Sequence, residues 1–300
     1  MMEADCLRRF LFEDAPVRGH WVRLSHAWRE AREHQDLPAG ALALLGESLA
    51  ASALIAASLK FKGTLTLQLL DSRGAVSMLV AQATDARTLR GVAHLAENAS
   101  GRGAGFAEQI DGGRLVVSVE QGEASAAWQG IVPLEGDSLA ACLAHYFDAS
   151  EQLPTAIVLA ADEQMAAGLL LQKLPAAGQQ GEMAAAGTQD LWEEVTAMLV
   201  TLGAQELLAT EPQELLRRLF GARDLRLFDA ESVAFGCRCS RERVEAVLRA
   251  MGQAEIESIL AEQGAVTVTC EFCQKPYRFD AVDASRLFLA TSTQGNASLN

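Results

Sequence analysis

Four of the six cysteines stand in two tight pairs in the last quarter of the chain, Cys237-Arg-Cys239 and Cys270-Glu-Phe-Cys273, with thirty residues between the pairs. No histidine lies beyond His145, so sulfur is the soft donor available there. Two close thiol pairs, brought together by a short intervening fold, supply the ligands of a tetrahedral zinc site. The same four atoms can instead make two disulfides, and the spacing leaves both open. With four thiolates bound, no coordination position remains for water, so such a centre is closed rather than hydrolytic. A thioredoxin-like use of Cys270 and Cys273 would need the first cysteine at a helix N-terminus. Pro276 interrupts any helix starting there, so a metal knuckle fits better.

A permanent structural zinc is the plainer alternative to a switch. Structural zinc supplies roughly 10–16 kcal/mol of apparent folding free energy, while a whole domain is stable by only about 5–15 kcal/mol. Oxidising the thiolates removes the ligands, and a module of about 60 residues is too small to survive that loss. Adjacent thiols oxidise readily to disulfides, and a thiol reductant reverses the step.

The elements around the cysteines are arranged to bring the pairs together. Ser240 is placed to cap a helix carrying Val244, Val247, Leu248 and Met251 and ended by Gly252. A second helix carries Ile256, Ile259 and Leu260 and ends at Gly264. Residues 265–269 form a short strand running into Cys270, with residues 277–280 as its partner. The polar stretch 291–300 reads as a disordered tail.

Upstream, residues 17–28 read as strand passing into helix, and residues 39–60 as one long helix stopped by Gly63. Period-two alternation over 64–70, turn chemistry at 71–74 and a return over 75–82 predict a hairpin. Residues 114–120 and 126–131 form a second strand pair across Gly122, residues 138–146 a helix, and 155–161 and 167–173 extended segments. Hairpins with segregated helices indicate an α+β fold: antiparallel or mixed sheets with a buried long helix, then a helical linker, then a small four-cysteine zinc module. Residues 175–189, rich in Gly, Ala and Gln, mark a boundary. Beyond it, Asp190 with Glu193 and Thr210 with Gln213 resemble capping pairs for two short amphipathic helices, whose stripes are Leu191, Val195, Met198, Leu199, Leu202 and Leu215, Leu216, Leu219, Phe220. Helices this short need a docking surface. The resulting division is 1–178, 179–231, 232–290 and a tail over 291–300.

The net charge is −14, from 25 basic and 39 acidic residues. Residues 231–300 carry 7 basic and 9 acidic groups, leaving 18 and 30 in the first 230. Neither part has the positive footprint of a nucleic-acid binder, which argues against polyanionic partners. Residues 1–14 are charged and lack a long apolar run, so a reducing cytoplasm is the expected compartment, where paired cysteines more often bind metal or sense redox than staple a fold. The segment 37–61 is long enough to span a membrane, but its Ala and Ser content and Glu47 favour a buried helix, and no membrane partner is expected.

At this level of detail the chain resembles the redox-regulated 33-kilodalton heat-shock chaperones of bacteria. The resemblance rests on Phe-Gly-Cys-Arg-Cys-Ser-Arg-Glu-Arg-Val from Phe235 and Cys-Glu-Phe-Cys-Gln-Lys-Pro-Tyr-Arg-Phe-Asp from Cys270, with supporting strings upstream. Among these are Val-Arg-Gly at 17–19, Leu-Leu-Gly-Glu-Ser-Leu-Ala from Leu44, Leu-Lys-Phe-Lys-Gly from Leu59, Gln-Gly-Ile-Val-Pro-Leu-Glu-Gly from Gln129 and Ser-Glu-Gln-Leu-Pro-Thr from Ser150. It implies an ATP-independent holdase without catalysis. In the reduced, inactive form one zinc would sit on Cys237, Cys239, Cys270 and Cys273. Hypochlorite, or peroxide with heat, would drive disulfides Cys237–Cys239 and Cys270–Cys273 with zinc release. The linker would then unfold, and oxidised subunits would form a homodimer through the N-terminal domain. The clients would be unfolded proteins, held on apolar surface of that domain and of residues 190–230.

The remaining features read as structural. Cys142 is expected to be a small buried apolar residue, and Cys6 a thiol near a frayed terminus. The five histidines show no ligand spacing and read as surface or satisfied core residues. Residues 101–105 are glycine-dense without a Gly-Lys-Ser/Thr ending, so a loop is expected rather than a phosphate cradle. Two rivals come from other classes. A nucleic-acid-binding zinc ribbon conflicts with the charge, and a thiol oxidoreductase would turn over a disulfide substrate.

Overall fold

The computed structural model describes residues 5–97, 99, 103, 105–120, 128–134, 136–175 and 182–292, with 182–186 and 289–292 described as backbone. The elements are β1 (Cys6–Phe12), β2 (Val17–Leu24), α1 (His26–Arg32), α2 (Ala39–Ser58), β3 (Thr64–Leu70), β4 (Val76–Thr84), β5 (Thr88–Leu95), α3 (Phe106–Gln109), β6 (Arg114–Glu120) and β7 (Trp128–Pro133). They continue with α4 (Leu139–Ala149), β8 (Thr155–Ala161), β9 (Ala166–Lys173), α5 (Glu182–Val200), α6 (Ala204–Ala209), α7 (Pro212–Phe220), β10 (Leu225–Leu227), β11 (Glu231–Ser232) and β12 (Ala234–Phe235). The last part holds α8 (Arg241–Met251), α9 (Gln253–Gln263), β13 (Val266–Thr269), β14 (Pro276–Phe279) and α10 (Ala281–Ser292). The chain divides into two units, residues 1–236 and 237–300.

The first unit is built on two six-stranded sheets. One runs β10-β1-β2-β9-β8 with β11 also on β1, and the other runs β12-β5-β4-β3-β6-β7. All pairings are antiparallel except β12 on β5. Helix α2 packs against strands of both sheets. That position explains its sequence. A helix walled on two sides buries all its faces, so it shows no apolar stripe, and 16 of its 20 residues are buried. Small residues let the sheets close on it: a Cβ at Gly46 would stand 2.5 Å from the Cβ of Ala161, and one at Gly168 would stand 2.7 Å from Leu54. Its buried serines donate to their own helix, Ser48 Oγ to Leu44 O at 2.7 Å and Ser52 Oγ to Leu49 O at 2.8 Å. The segment apolar enough to span a membrane is therefore a core helix, with 83% of its apolar window buried. Burial pushes the Glu47 carboxyl up to about 7.

The first sheet is covered on its other face as well. Leu191, Val195, Leu199, Leu202, Leu207, Leu215, Leu216 and Phe220 of the helical segment form a second core with Phe10, Phe12, Trp21, Leu169 and Leu171. This two-sided cover explains why β2 and β9 are buried almost throughout, with no polar alternation. The rings of Phe10, Phe12 and Phe220 meet with centroids 5.4–6.3 Å apart. Within the layer Arg23 is 1% exposed and donates to Glu211 Oε1 at 2.8 Å.

Several local expectations are corrected here. Asp190 is not a cap: α5 begins at Glu182, inside the supposed boundary, because its Ala-rich start is strong helix former. Thr210 does not cap α7. Glu211 holds that position, with Pro212 opening the helix, and Thr210 instead closes the additional helix α6. Cys6 is not at a frayed end but buried in β1, between β2 and β11. His20 is buried with its Nδ1 lacking a partner, so it is not a satisfied core histidine. Cys142 is buried in α4, as its place in the apolar stripe predicts. Gly122, most of 101–105, residues 176–181 and the tail from 293 lie outside the described residues, while residues 291–292 close α10.

Because the helical layer is held largely by apolar contact, truncating its central ring should loosen it selectively. Phe220→Ala is expected to weaken docking of α5–α7 by about 3–5 kcal/mol. Hydrogen exchange should then accelerate in those helices while β3–β6 stay protected. Equal acceleration in both would contradict this layering.

Candidate metal centre

The second unit has its own small core, in which Val244, Leu248, Ile256, Val266, Tyr277, Phe279, Ala284 and Leu287 are buried. Ser240 Oγ accepts from the Arg243 N–H at 3.3 Å and starts α8 directly after Cys239, as predicted. The helix is rotated from the expected stripe. Val244 and Leu248 face inward, whereas Val247 and Met251 are exposed. Gly264, at φ 72°, closes α9 in the left-handed conformation and returns the chain to β13. Strands β13 and β14 form an antiparallel pair with Thr269 opposite Pro276, which holds Cys270 and Cys273 in the connecting turn.

That turn is a knuckle. The Gln274 N–H donates to Cys270 O at 2.7 Å, and the Cys270 N–H donates to Lys275 O at 3.1 Å. Gln274 takes φ 53°, a left-handed conformation strained for a residue with a side chain. Phe272 and Cys273 aim backbone N–H groups at the Cys270 sulfur, Lys275 aims one at Cys273, and Cys239 aims one at Cys237. Hydrogen bonds of this kind favour thiolates.

All four sulfurs lie within 4.8 Å of one another, and each cysteine is half-buried. Among the described residues this is the one cluster of three or more His, Cys, Asp or Glu side chains close enough to hold a metal ion. Sulfurs of opposite pairs stand in contact, Cys237 to Cys270 at 3.6 Å and Cys239 to Cys273 at 3.4 Å. A tetrahedron with arms of about 2.3 Å has edges of about 3.8 Å, so these sulfurs fit a zinc-sized ion. An all-sulfur set with no carboxylate also suits zinc over harder cations.

The thiols are electrostatically coupled. Burial opposes ionisation of Cys237, but the Cys239 N–H and the three neighbouring thiols outweigh it and bring Cys237 down to about 7. Burial pushes Cys270 up, and pushes Cys273 up to about 12 with the other three thiols adding to it. Thiolates crowded this closely repel one another, which a bound cation would relieve. Tyr277, which sequence reasoning placed only as a strand residue, donates its hydroxyl to Cys239 Sγ at 3.1 Å. That hydrogen bond, with burial, raises the phenol to about 12, so it stays a donor. Arg241 was also missed. It reaches the Arg278 carbonyl at 3.1 Å and Asp283 at 2.8 Å, and lies 4.2 Å over the Phe279 ring, tying α8 to β14 and α10. The alternation of Tyr277 and Phe279 in β14 was visible, but the direction of the hydroxyl was not.

The sequence profile described as Hsp33 protein matches residues 5–280. The chain belongs to the Hsp33 family. It is 46% identical over 288 residues to the 33 kDa chaperonin of Nitrosococcus oceani, covering 96% of each chain. It is 42% identical over 296 residues to the 33 kDa chaperonin of Pseudomonas paraeruginosa, covering 98% of each. The crystal structure of the heat shock protein 33 homolog of Thermotoga maritima superposes with a TM-score of 0.80 at 26% identity, over 96% of this chain and 99% of that one. Membership in the Hsp33 family supports a chaperone function, and the α+β architecture agrees with the structural relative.

The Tyr277 hydroxyl gives the centre a test that leaves all four cysteines in place. Tyr277→Phe should lower zinc affinity about tenfold, the scale of an outer-shell partner. Competition with a chromogenic chelator under reducing conditions reads this directly, and unchanged affinity would remove Tyr277 from the centre.

Proposed function

We propose that this chain is a redox-regulated, ATP-independent holdase, inactive when Cys237, Cys239, Cys270 and Cys273 hold zinc as thiolates and active once they are oxidised. The observation that carries this reading is the gathering of four sulfurs within 4.8 Å beside a core cluster of only eight buried residues among the described ones. So small a core needs a staple. Zinc, when bound, would supply the positive charge that lets all four sulfurs ionise and would tie the two cysteine pairs together.

Oxidation then undoes what the sulfurs hold together. Two thiolates give one disulfide, two electrons passing to a two-electron oxidant such as hypochlorite, which takes two protons from solvent and leaves as chloride and water. In this reading the products are Cys237–Cys239 and Cys270–Cys273. The four sulfurs stand apart at contact distance, 3.4–3.6 Å across the pairs, so closing each pair on itself draws its sulfurs together to about 2.05 Å and breaks up the cluster. Ligand loss and local unfolding are thereby coupled.

The helical segment supports the second half of the proposal. In this reading its docking can be reversed: Arg23 is buried in the interface and loses its water, while its partner Glu211 stays partly exposed, so the pair offsets the cost of burying Arg23 rather than adding net stability. Undocking returns Arg23 and Glu211 to solvent and uncovers Phe10, Phe12, Val17 and Trp21. We read residues 1–178 as the client-binding and dimerisation part, 179–231 as the metastable linker, 232–290 as the redox switch and 291–300 as a tail. The clients are unfolded proteins in the cytoplasm, and the oxidised form is a homodimer. The charge of −14 supports a protein that engages neither nucleic acid nor membrane, and a closed thiolate centre supports binding without catalysis.

Light scattering of a thermally aggregating client tests this. The oxidised chain should suppress aggregation and release about one zinc per chain, while the reduced, zinc-loaded chain should do neither. Equal behaviour of the two forms with zinc retained would make the metal a permanent staple.

A further inference from the structure

Two strings noted in the sequence, Val-Arg-Gly at 17–19 and Leu-Lys-Phe-Lys-Gly at 59–63, play no part in the metal centre, yet they meet in the first unit. Arg18 and Lys60 both line a cleft of about 360 Å³ between β1, β2 and the end of α2, together with Arg9, His20 and Arg87. That volume falls in the range of small-molecule sites. Four cations line the cleft and no carboxylate does. This is a local reversal of sign in a chain whose first 230 residues hold 18 basic and 30 acidic groups.

The cationic side chains are positioned rather than scattered. Arg18 is half-buried, and burial lowers its pKa. It donates through Nε and Nη2 to Gln172 Oε1 at 3.1 and 2.7 Å, and through Nη2 to the Ser58 carbonyl at 2.9 Å. These acceptors are neutral. They fix the guanidinium without balancing its charge, which an anion would do. His20 is 2% exposed and its Nδ1 has no partner, while the ring also bonds the Ala57 carbonyl. A buried polar atom in that condition is one a ligand completes. Arg87 is held at φ 61°, a left-handed conformation that is costly for arginine. Glu231 bridges Arg9 at 3.0 Å and Arg87 at 2.8 Å, so part of the charge is already countered from within the fold. Lys60 stands exposed at the rim. Leu59, Leu174 and Phe228 add apolar wall.

We infer that this cleft is a binding site for a small phosphorylated ligand, its phosphate held by Arg18 and Lys60 and its organic body resting on Leu59, Leu174 and Phe228. Gln172 and Ser58 take the Nε and Nη2 hydrogens of Arg18, which leaves Nη1 to meet a phosphate oxygen, and several cations around one cleft favour a multiply charged anion over a lone carboxylate. The overall negative charge disfavours long polyanions, but it does not oppose a ligand small enough to sit wholly inside the cleft.

Calorimetric titration of the reduced, zinc-loaded full chain with ADP and, separately, with inorganic phosphate tests the site. Saturable one-to-one binding is expected, tighter for ADP than for inorganic phosphate because the apolar wall takes the organic body; equal affinity would overturn that part of the inference. Lys60→Met, at an exposed position that leaves folding intact, should weaken binding tenfold or more, as should Arg18→Met. Glu231→Gln should tighten it several-fold by freeing Arg9 and Arg87, whereas the exposed control Arg114→Met should change nothing. The His20 ring nitrogens should shift in an NMR titration with the same probe. Absence of binding by both probes, or undiminished binding by Lys60→Met, overturns the inference.

Discussion

Repulsion between like charges governs the second unit. Two thiolates about 4 Å apart repel by about 4 kcal/mol at an effective dielectric of 20, and here four sulfurs share a space 4.8 Å across. Hydrogen bonds from the Cys239 N–H and the neighbouring thiols bring Cys237 down to about 7, while burial pushes Cys270 and Cys273 up. A dication reverses the balance, and in our account zinc is that ion. The eight-residue core of the unit, the N–H groups trained on sulfur and the Tyr277 hydroxyl are all arranged around a charge that the chain alone does not neutralise. The fold of the unit and the redox state of its sulfurs are then the same variable.

The first unit obeys a different constraint, which is that its first sheet is covered on both faces. On one face lies α2, clasped by both sheets and packed with small side chains. On the other lies the layer α5–α7, joined through leucines and Phe220 and through one buried ion pair. The two covers differ in kind. Helix α2 sits inside a continuous core, whereas α5–α7 occupies an outer position and carries Arg23–Glu211 within its contact. A layer of that kind can leave without dismantling the sheets, and what it uncovers is a row of aromatic and aliphatic side chains suited to unfolded protein. In the proposed function this layer is the link between a sulfur switch and a chaperone surface.

Much of this was legible in sequence because it rests on spacing. The cysteine pairs, the Ser240 cap, the Gly264 stop and the alternation of 64–70 are local signals, and each recurs in the structure. What escaped depends on neighbours distant in the chain. The start of α5 read as a boundary because Met183 and its run of alanines lack bulky apolar groups, although alanine is the strongest helix former. Strand β1 was hidden because Arg8 and Arg9 break its apolar run, and its burial comes from β2, β10 and β11. The Tyr277 and Arg241 contacts needed the β13–β14 pairing. The basic cleft was invisible to net charge, since Arg18 and Lys60 lie forty-two residues apart and meet only where α2 ends beside β2.

The central claim is that the folded state of residues 237–292 rests on the metal-held sulfurs. Hydrogen exchange read by mass spectrometry, on the reduced chain with zinc and again after removal by a chelator, tests it most directly. The account predicts that removal abolishes protection in α8, α9, β13 and β14 while β2, β3, β4 and β9 stay protected. Persistent protection of residues 237–292 in the metal-free, reduced chain would contradict it.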